Sequence, residues 1–160
     1  MGSEMCIRDR SKALENAFSY SEEIIVENFI AGKLLAVGMH GENPMPIVHI
    51  CPKTGFYDYE AKYTSGKTEY ICPANLSENE TKKCQETAKK VFKVLRGRGL
   101  PRVDIIIDQK GPPYVLEMNT LPGLTPTILL TIAAKEIGMS FDDLIMEILK
   151  TAQLDHGVVP

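Results

Sequence analysis

The chain has no tryptophan, and aromatic residues make up only 7% of its 160 residues. It has no apolar run near the roughly 18 residues needed to cross a membrane, and its N-terminus lacks the apolar stretch of a secretory signal. The cytoplasm is the expected compartment. Cys-x-x-Cys spacing is also absent: Cys6, Cys51, Cys72 and Cys84 stand far apart, which excludes a zinc ribbon or a thioredoxin-like motif and suits reduced thiols. There is no basic excess. The 18 Lys and Arg against 21 Asp and Glu leave a net charge of -3, without the positive footprint that nucleic acid or an anionic membrane surface requires. Neither partner is expected, so any anionic ligand must be held locally.

What is present is globular. The 44% hydrophobic and 24% charged fractions are close to domain averages, and a chain of this length buries roughly 68–70% of its unfolded surface without needing a staple. Residues 1–10 show no periodicity that would bury a face and read as a leader resembling a translation scar; residues 154–160 read as a tail. A short amphipathic helix is expected over Lys12 to Phe18. Ile24–Ile30, β-branched and apolar, reads as a strand turning at Gly32-Lys33 into a second strand, Leu34–Met39. Gly41–Pro44 then leads to a third, Pro46–Ile50, in an antiparallel meander.

From Cys51 to Gly66 periodicity stops around the string Phe56-Tyr-Asp-Tyr-Glu-Ala-Lys-Tyr63. Aperiodic stretches of this length are typically lids or binding loops, here mobile from about Tyr57 to Lys67. Ser77-Glu-Asn-Glu80 is a capping box that opens a helix with Cys84, Ala88, Val91, Phe92 and Leu95 on one face, ending near Gly97. Arg102–Asp108 and Pro113–Asn119 form a second hairpin, and two helices close the chain. The last is capped by Ser140 and carries the stripe Phe141, Leu144, Ile145, Ile148 and Leu149. The fold class is α+β: an antiparallel sheet with packed helices.

The second hairpin carries the chemistry. If Asp108 faces Pro113, then Asp104 faces Glu117 and Arg102 faces Asn119, all on one side, because side chains alternate with period two. Opposed carboxylates about 5 Å apart repel each other unless a cation joins them, and a hard divalent ion such as Mg²⁺ suits this oxygen-rich set. Mg²⁺ keeps water and phosphate ligands, so the cluster points to a nucleoside triphosphate as much as to a metal. Arg102 can neutralise a phosphoryl group or an oxyanion there. The same spacing also suits a solvated Arg/Asp/Glu salt-bridge ladder. The Pro122-Gly123 turn, leading into a helix near Pro126, adds backbone N–H groups of the kind that bind anions.

Val26-Glu27, Gly55–Gly66, Ile71-Cys-Pro-Ala74, Arg102-Val-Asp104 and Leu116-Glu-Met-Asn-Thr-Leu-Pro-Gly123 closely resemble D-alanine–D-alanine ligases, which are ATP-grasp enzymes. The resemblance runs from about Ser11 to Gln153 and implies the C-terminal portion of the ATP-grasp fold. It also implies an ATP- and Mg²⁺- or Mn²⁺-dependent ligase that joins two D-alanines for peptidoglycan synthesis, homodimeric at full length. By the family pattern, Asp104, Glu117 and Asn119 are metal ligands, and Arg102 and the Gly123 N–H act at the developing oxyanion. Lys62 meets the ATP phosphates. Tyr63 helps close the loop over the second D-alanine, and Leu129 lies at that substrate. Glu27, Ile30, Phe56 and Leu116 surround adenine, with Glu117 also counted among the ATP contacts.

The pattern is broken at two positions. Leu34 stands where the family carries a ribose-binding glutamate, and Ile128 where it carries a serine for the second substrate's carboxylate. The family's N-terminal domain and the first part of its central domain, with two ATP-contacting lysines, precede the matched positions. The alternatives are a non-catalytic ATP-grasp remnant or a related ligase with a different second substrate.

Overall fold

The structure is a computed structural model that describes residues 10–53, 64, 66–108, 111–125 and 128–152. Its elements are α1 (Arg10–Phe18), β1 (Lys33–His40), β2 (Asn43–Pro52), β3 (Thr68–Ile71), α2 (Glu78–Val94), β4 (Arg102–Ile107), β5 (Tyr114–Asn119), α3 (Leu129–Glu136) and α4 (Phe141–Thr151). The strands form an antiparallel sheet in the order β3-β2-β1-β4-β5, so the expected α+β class holds. The chain divides into two compact units, one of residues 1–31 and 52–69, the other of residues 32–51 and 70–160.

In the first unit, α1 begins at Arg10 and has no buried residue. The strand expected over Ile24–Ile30 does not form. Ile25, Val26 and Phe29 are exposed, and β1 takes β2 and β4 as its neighbours instead. β-Branched residues favour a pleated, half-buried surface, and without an adjacent strand that preference produces no ladder. At the other end of the unit, the Lys53 N–H donates to the Lys67 carbonyl at 2.9 Å. Most of the stretch between them, including Phe56, Lys62 and Tyr63, lies outside the described residues, as does most of the expected Tyr57–Lys67 lid.

The second unit is organised around β1. Leu35, Ala36, Val37 and Met39 are all nearly or fully inaccessible, so successive side chains are buried on opposite faces, as a strand covered on both sides demands. On one face Leu35, Val37, Met39, Ile47, Val103, Ile105 and Ile107 pack with Cys84, Ala88 and Phe92 of α2. On the other, α3 comes so close to Gly38 that a Cβ there would lie 2.7 Å from Leu130 Cδ1. The hairpin connecting β1 and β2 turns at Gly41-Glu42, and β2 already includes Pro44 and Pro46, earlier than the expected start at residue 46.

Helix boundaries follow their caps. The Ser77 hydroxyl accepts from the Glu80 N–H, and the Glu80 carboxylate accepts from the Ser77 N–H at 2.7 Å, satisfying donors that the first turn leaves open. Ser140 and Asp143 repeat the arrangement at α4. α2 stops at Val94, before the expected Gly97, with Arg96 in the left-handed region at φ 50. The Arg96 N–H donates to the Lys93 carbonyl and the Gly97 N–H to Phe92 at 2.7 Å, a Schellman closure. The apolar stripes are shorter than expected. Leu95 is exposed because it lies beyond the last helical residue, and Leu149 is exposed on α4, where only Leu144 is fully buried.

These caps give the chain an acid-sensitive component of stability. Hydrogen bonds from Ser77, Ser140 and Lys150 hold the Glu80, Asp143 and Glu147 carboxyls below their ordinary values. Carboxyls lowered in the folded state contribute stability that is fully present above their unfolded pKa and is lost as pH falls through the folded value. The Tm of the wild-type chain should therefore exceed that of Glu80→Gln at pH 7. Melting curves at stepwise lower pH should show the difference shrinking below about pH 4, the carboxylate range. A gap that is constant from pH 7 to 3 would contradict this account.

Candidate ATP and metal site

Strand pairing brings the sequence-expected cluster together. Arg102 faces Asn119 and Asp104 faces Glu117 across β4 and β5, in the expected register. The register shifts between Asp104 and Ile105: Ile105 faces Val115, leaving Leu116 unpaired, and the even ladder expected up to Asp108 and Pro113 is interrupted by a β-bulge. The extra residue relaxes the strict alternation that would otherwise put Leu116 and Glu117 on opposite faces. β1 adds Ala36 opposite Asp104, Gly38 opposite Arg102 and Leu34 opposite Ile106, so Leu34 shares the face of the carboxylates.

Electrostatics within the cluster are dominated by one ion pair. The Arg102 guanidinium forks the Asp104 carboxylate, Nε donating to Oδ1 at 2.7 Å and Nη2 to Oδ2 at 2.8 Å, with side-chain exposures of only 15% and 12%. Glu117 is exposed and Asn119 half-buried. The salt bridge that the sequence allowed therefore forms between Arg102 and Asp104, but as a largely buried pair and not on a solvated face. Among the described residues no group of three His, Cys, Asp or Glu side chains gathers as a metal site. The oxygen set is two carboxylates and an amide, hard donors that fit Mg²⁺ or Mn²⁺ with water and phosphate completing the shell.

Beyond β5 the chain turns under local control. The Asn119 Oδ1 accepts from the Leu121 N–H at 3.2 Å. The Thr125 carbonyl accepts from the Ile128 N–H at 3.2 Å and from the Thr131 hydroxyl at 2.9 Å, tying the turn to α3. Thr131 is 1% exposed, and sequence reasoning passed over it. Its signal was a hydroxyl inside the apolar run Leu129-Leu-Thr-Ile-Ala-Ala134, where an unpaired polar group would be costly. Ile128 is the N-cap of α3 and has no side-chain capping bond. It leans over Gly123, where a Cβ would lie 2.8 Å from Ile128 Cδ1. Pro126 lies outside the described residues, whereas Gly123 is exposed and Leu129 buried. Glu27, exposed, and Ile30, half-buried, belong to the first unit.

Groups elsewhere are less suited to chemistry. Burial pushes the Cys72 and Cys84 thiols up to about 11, so both stay protonated at neutral pH. His40 bonds Glu147 at 3.1 Å and links β1 to α4.

The sheet order, the helices and the carboxylate-bearing face of β4 and β5 define the C-terminal part of an ATP-grasp ligase fold. A family model described as the D-ala D-ala ligase C-terminus matches residues 6–150, and the chain belongs to that family. It is 44% identical over 147 residues to a D-alanine–D-alanine ligase from Syntrophotalea carbinolica, covering 92% of this chain and 48% of that protein. It is 43% identical over 148 residues to one from Methylacidiphilum infernorum, covering 92% and 49%. Among solved structures, the Bacillus anthracis D-alanine–D-alanine ligase complexed with ATP superposes with a TM-score of 0.76 at 28% identity, covering 92% of this chain and 48% of that one. The VanG D-Ala:D-Ser ligase of Enterococcus faecalis gives 0.73 at 29%, covering 90% and 43%. The chain spans about half the length of the curated relatives it matches.

The ion pair is a measurable contributor to stability. Removing one partner of a largely buried pair strands the other's charge, so Arg102→Ala should cost about 2–3 kcal/mol, somewhat less than a fully buried pair. In urea denaturation, Arg102→Ala/Asp104→Ala should lose less than the sum of the single changes by about 1 kcal/mol or more. Strict additivity would show that the fork contributes nothing.

Proposed function

We propose that this chain is the metal- and nucleotide-binding C-terminal part of a cytoplasmic D-alanine–D-alanine ligase, which joins two D-alanines for peptidoglycan synthesis. The observation that carries the reading is the pairing of Asp104 with Glu117 and of Arg102 with Asn119 on one face, in a chain that belongs to this family. Residues 11–153 supply the ATP-grasp region, and the full-length protein acts as a homodimer. In the reaction, the γ-phosphoryl group of ATP passes to the carboxylate of one D-alanine. The amine of the second attacks the acyl carbon, and phosphate leaves.

The residues divide this work by their chemistry. Asp104, Glu117 and Asn119 would hold Mg²⁺ or Mn²⁺, which when bound offsets the charge of the phosphates. Arg102 brings a permanent positive charge to the oxygen on which negative charge develops, and the Gly123 N–H donates to it. By the family pattern Glu27, Ile30, Phe56 and Leu116 hold adenine, Lys62 meets the phosphates, and Tyr63 and Leu129 bound the second D-alanine.

Two positions support narrower readings. Leu34, on the carboxylate face, offers no acceptor for ribose hydroxyls, which favours a non-catalytic remnant; Ile128 over Gly123 suits a less polar second substrate. Restoring Leu34→Glu and Ile128→Ser in a full-length context separates these readings: full ligation before the change excludes the remnant.

Titration calorimetry with a non-hydrolysable ATP analogue and Mg²⁺ tests the main reading. Metal-dependent binding should weaken at least about tenfold, or 1.4 kcal/mol, in Asp104→Ala/Glu117→Ala. Binding untouched by that change would remove the carboxylates from the site. The 160-residue chain alone should form no dipeptide, because a reaction centre shared among several domains is not preorganised by one of them.

A further inference from the structure

We infer that Arg102 is a gate on the metal site: in the unloaded protein its guanidinium occupies the carboxylate of Asp104, and a divalent cation binds well only when nucleotide phosphates draw the guanidinium away. The inference rests on the reading of Asp104 as a metal ligand and goes beyond it by assigning the order in which the site fills.

The geometry carries the proposal. Both oxygens of Asp104 are engaged, one by Nε at 2.7 Å and one by Nη2 at 2.8 Å, and the two side chains are only 15% and 12% exposed. A cation arriving at Asp104 must therefore share a carboxylate with a guanidinium that cannot deprotonate, in a place where solvent screens their repulsion poorly. A fork–fork pair is also the strongest hydrogen-bonded form available to an Arg and a carboxylate, so it is not given up without replacement. The triphosphate provides one, since phosphate oxygens accept the same planar fork. Glu117 opposite Asp104 and Asn119 opposite Arg102 remain to receive the metal. The consequence is coupling: metal alone binds weakly, nucleotide alone meets an arginine already engaged, and the two together release it.

The test measures cation binding directly, with Mn²⁺ as the probe and electron paramagnetic resonance reporting the free ion. Without nucleotide, Arg102→Gln should bind Mn²⁺ at least about tenfold more tightly than wild type, and Arg102→Lys, which keeps the charge but loses the fork, should fall between them. With a non-hydrolysable ATP analogue present the advantage of Arg102→Gln should vanish, because in wild type the phosphates then hold the guanidinium and leave Asp104 to the cation. Circular dichroism establishes that each variant is folded at the assay temperature. If Arg102→Gln does not fold, the wild-type chain still decides: the Arg102 Nε–Hε resonance should move on adding Mg²⁺ with the analogue and stay in place with the analogue's adenosine moiety alone. Mn²⁺ binding by Arg102→Gln no tighter than wild type, or an unmoved resonance, overturns the gate. If analogue binding nonetheless depends on Mn²⁺ and is lost in Asp104→Asn, the gate alone falls and the nucleotide site stands. If no metal-dependent binding of the analogue occurs at all, both fall.

Discussion

The pairing of β1 with strands on both sides is the constraint from which the rest of the molecule follows. A strand covered on both faces needs apolar side chains at consecutive positions, and Leu35, Ala36, Val37 and Met39 meet that need. Its α2 face is filled by the large residues Leu35, Val37 and Met39, whereas its other face, beyond Leu34, offers the small Ala36 and Gly38 at its centre. That asymmetry decides where each helix can go. A long amphipathic helix closes the bulky face, and α3 approaches the backbone on the small one, leaving the adjoining part of β4 and β5 free to carry charge.

Placing charge there has an electrostatic cost that the fold offsets locally. Asp104 is 9% exposed in the middle of a sheet otherwise lined by Val103, Ile105 and Ile107. A carboxylate so placed needs a partner, and Arg102, two residues earlier on the same strand and therefore on the same face, is the nearest side chain able to engage both oxygens. The structural need to satisfy Asp104 is thus met by one neighbouring residue, and under the proposed function the same guanidinium would also serve the transferring phosphate.

The most legible features in the sequence were those governed by short-range periodicity. Arg102, Asp104, Glu117 and Asn119 could be placed on one face because side chains alternate along a strand and the hairpin is short, and the start of α2 was marked by a four-residue capping box and that of α4 by its N-cap Ser140. What depended on distant parts of the chain was not legible. Ile24–Ile30 has strand composition, but composition does not name a neighbour, and β1 pairs elsewhere. Leu95 and Leu149 continue a helical period beyond the surface available to bury them, which the period itself cannot reveal. The part played by Thr131 was hidden because its partner, the Thr125 carbonyl, belongs to a turn whose path only the fold determines.

The bulge at Leu116 divides β5 into two stretches in different register with β4. The stretch of Tyr114 and Val115 is offset by one residue from the stretch bearing Glu117 and Asn119, which keeps its own alignment with Asp104 and Arg102. A slack residue between them works as a mechanical insulator. Sequence drift in the turn can be absorbed at Leu116 before it reaches the carboxylates, so the hairpin can vary at its tip while the spacing of its charged end is inherited unchanged.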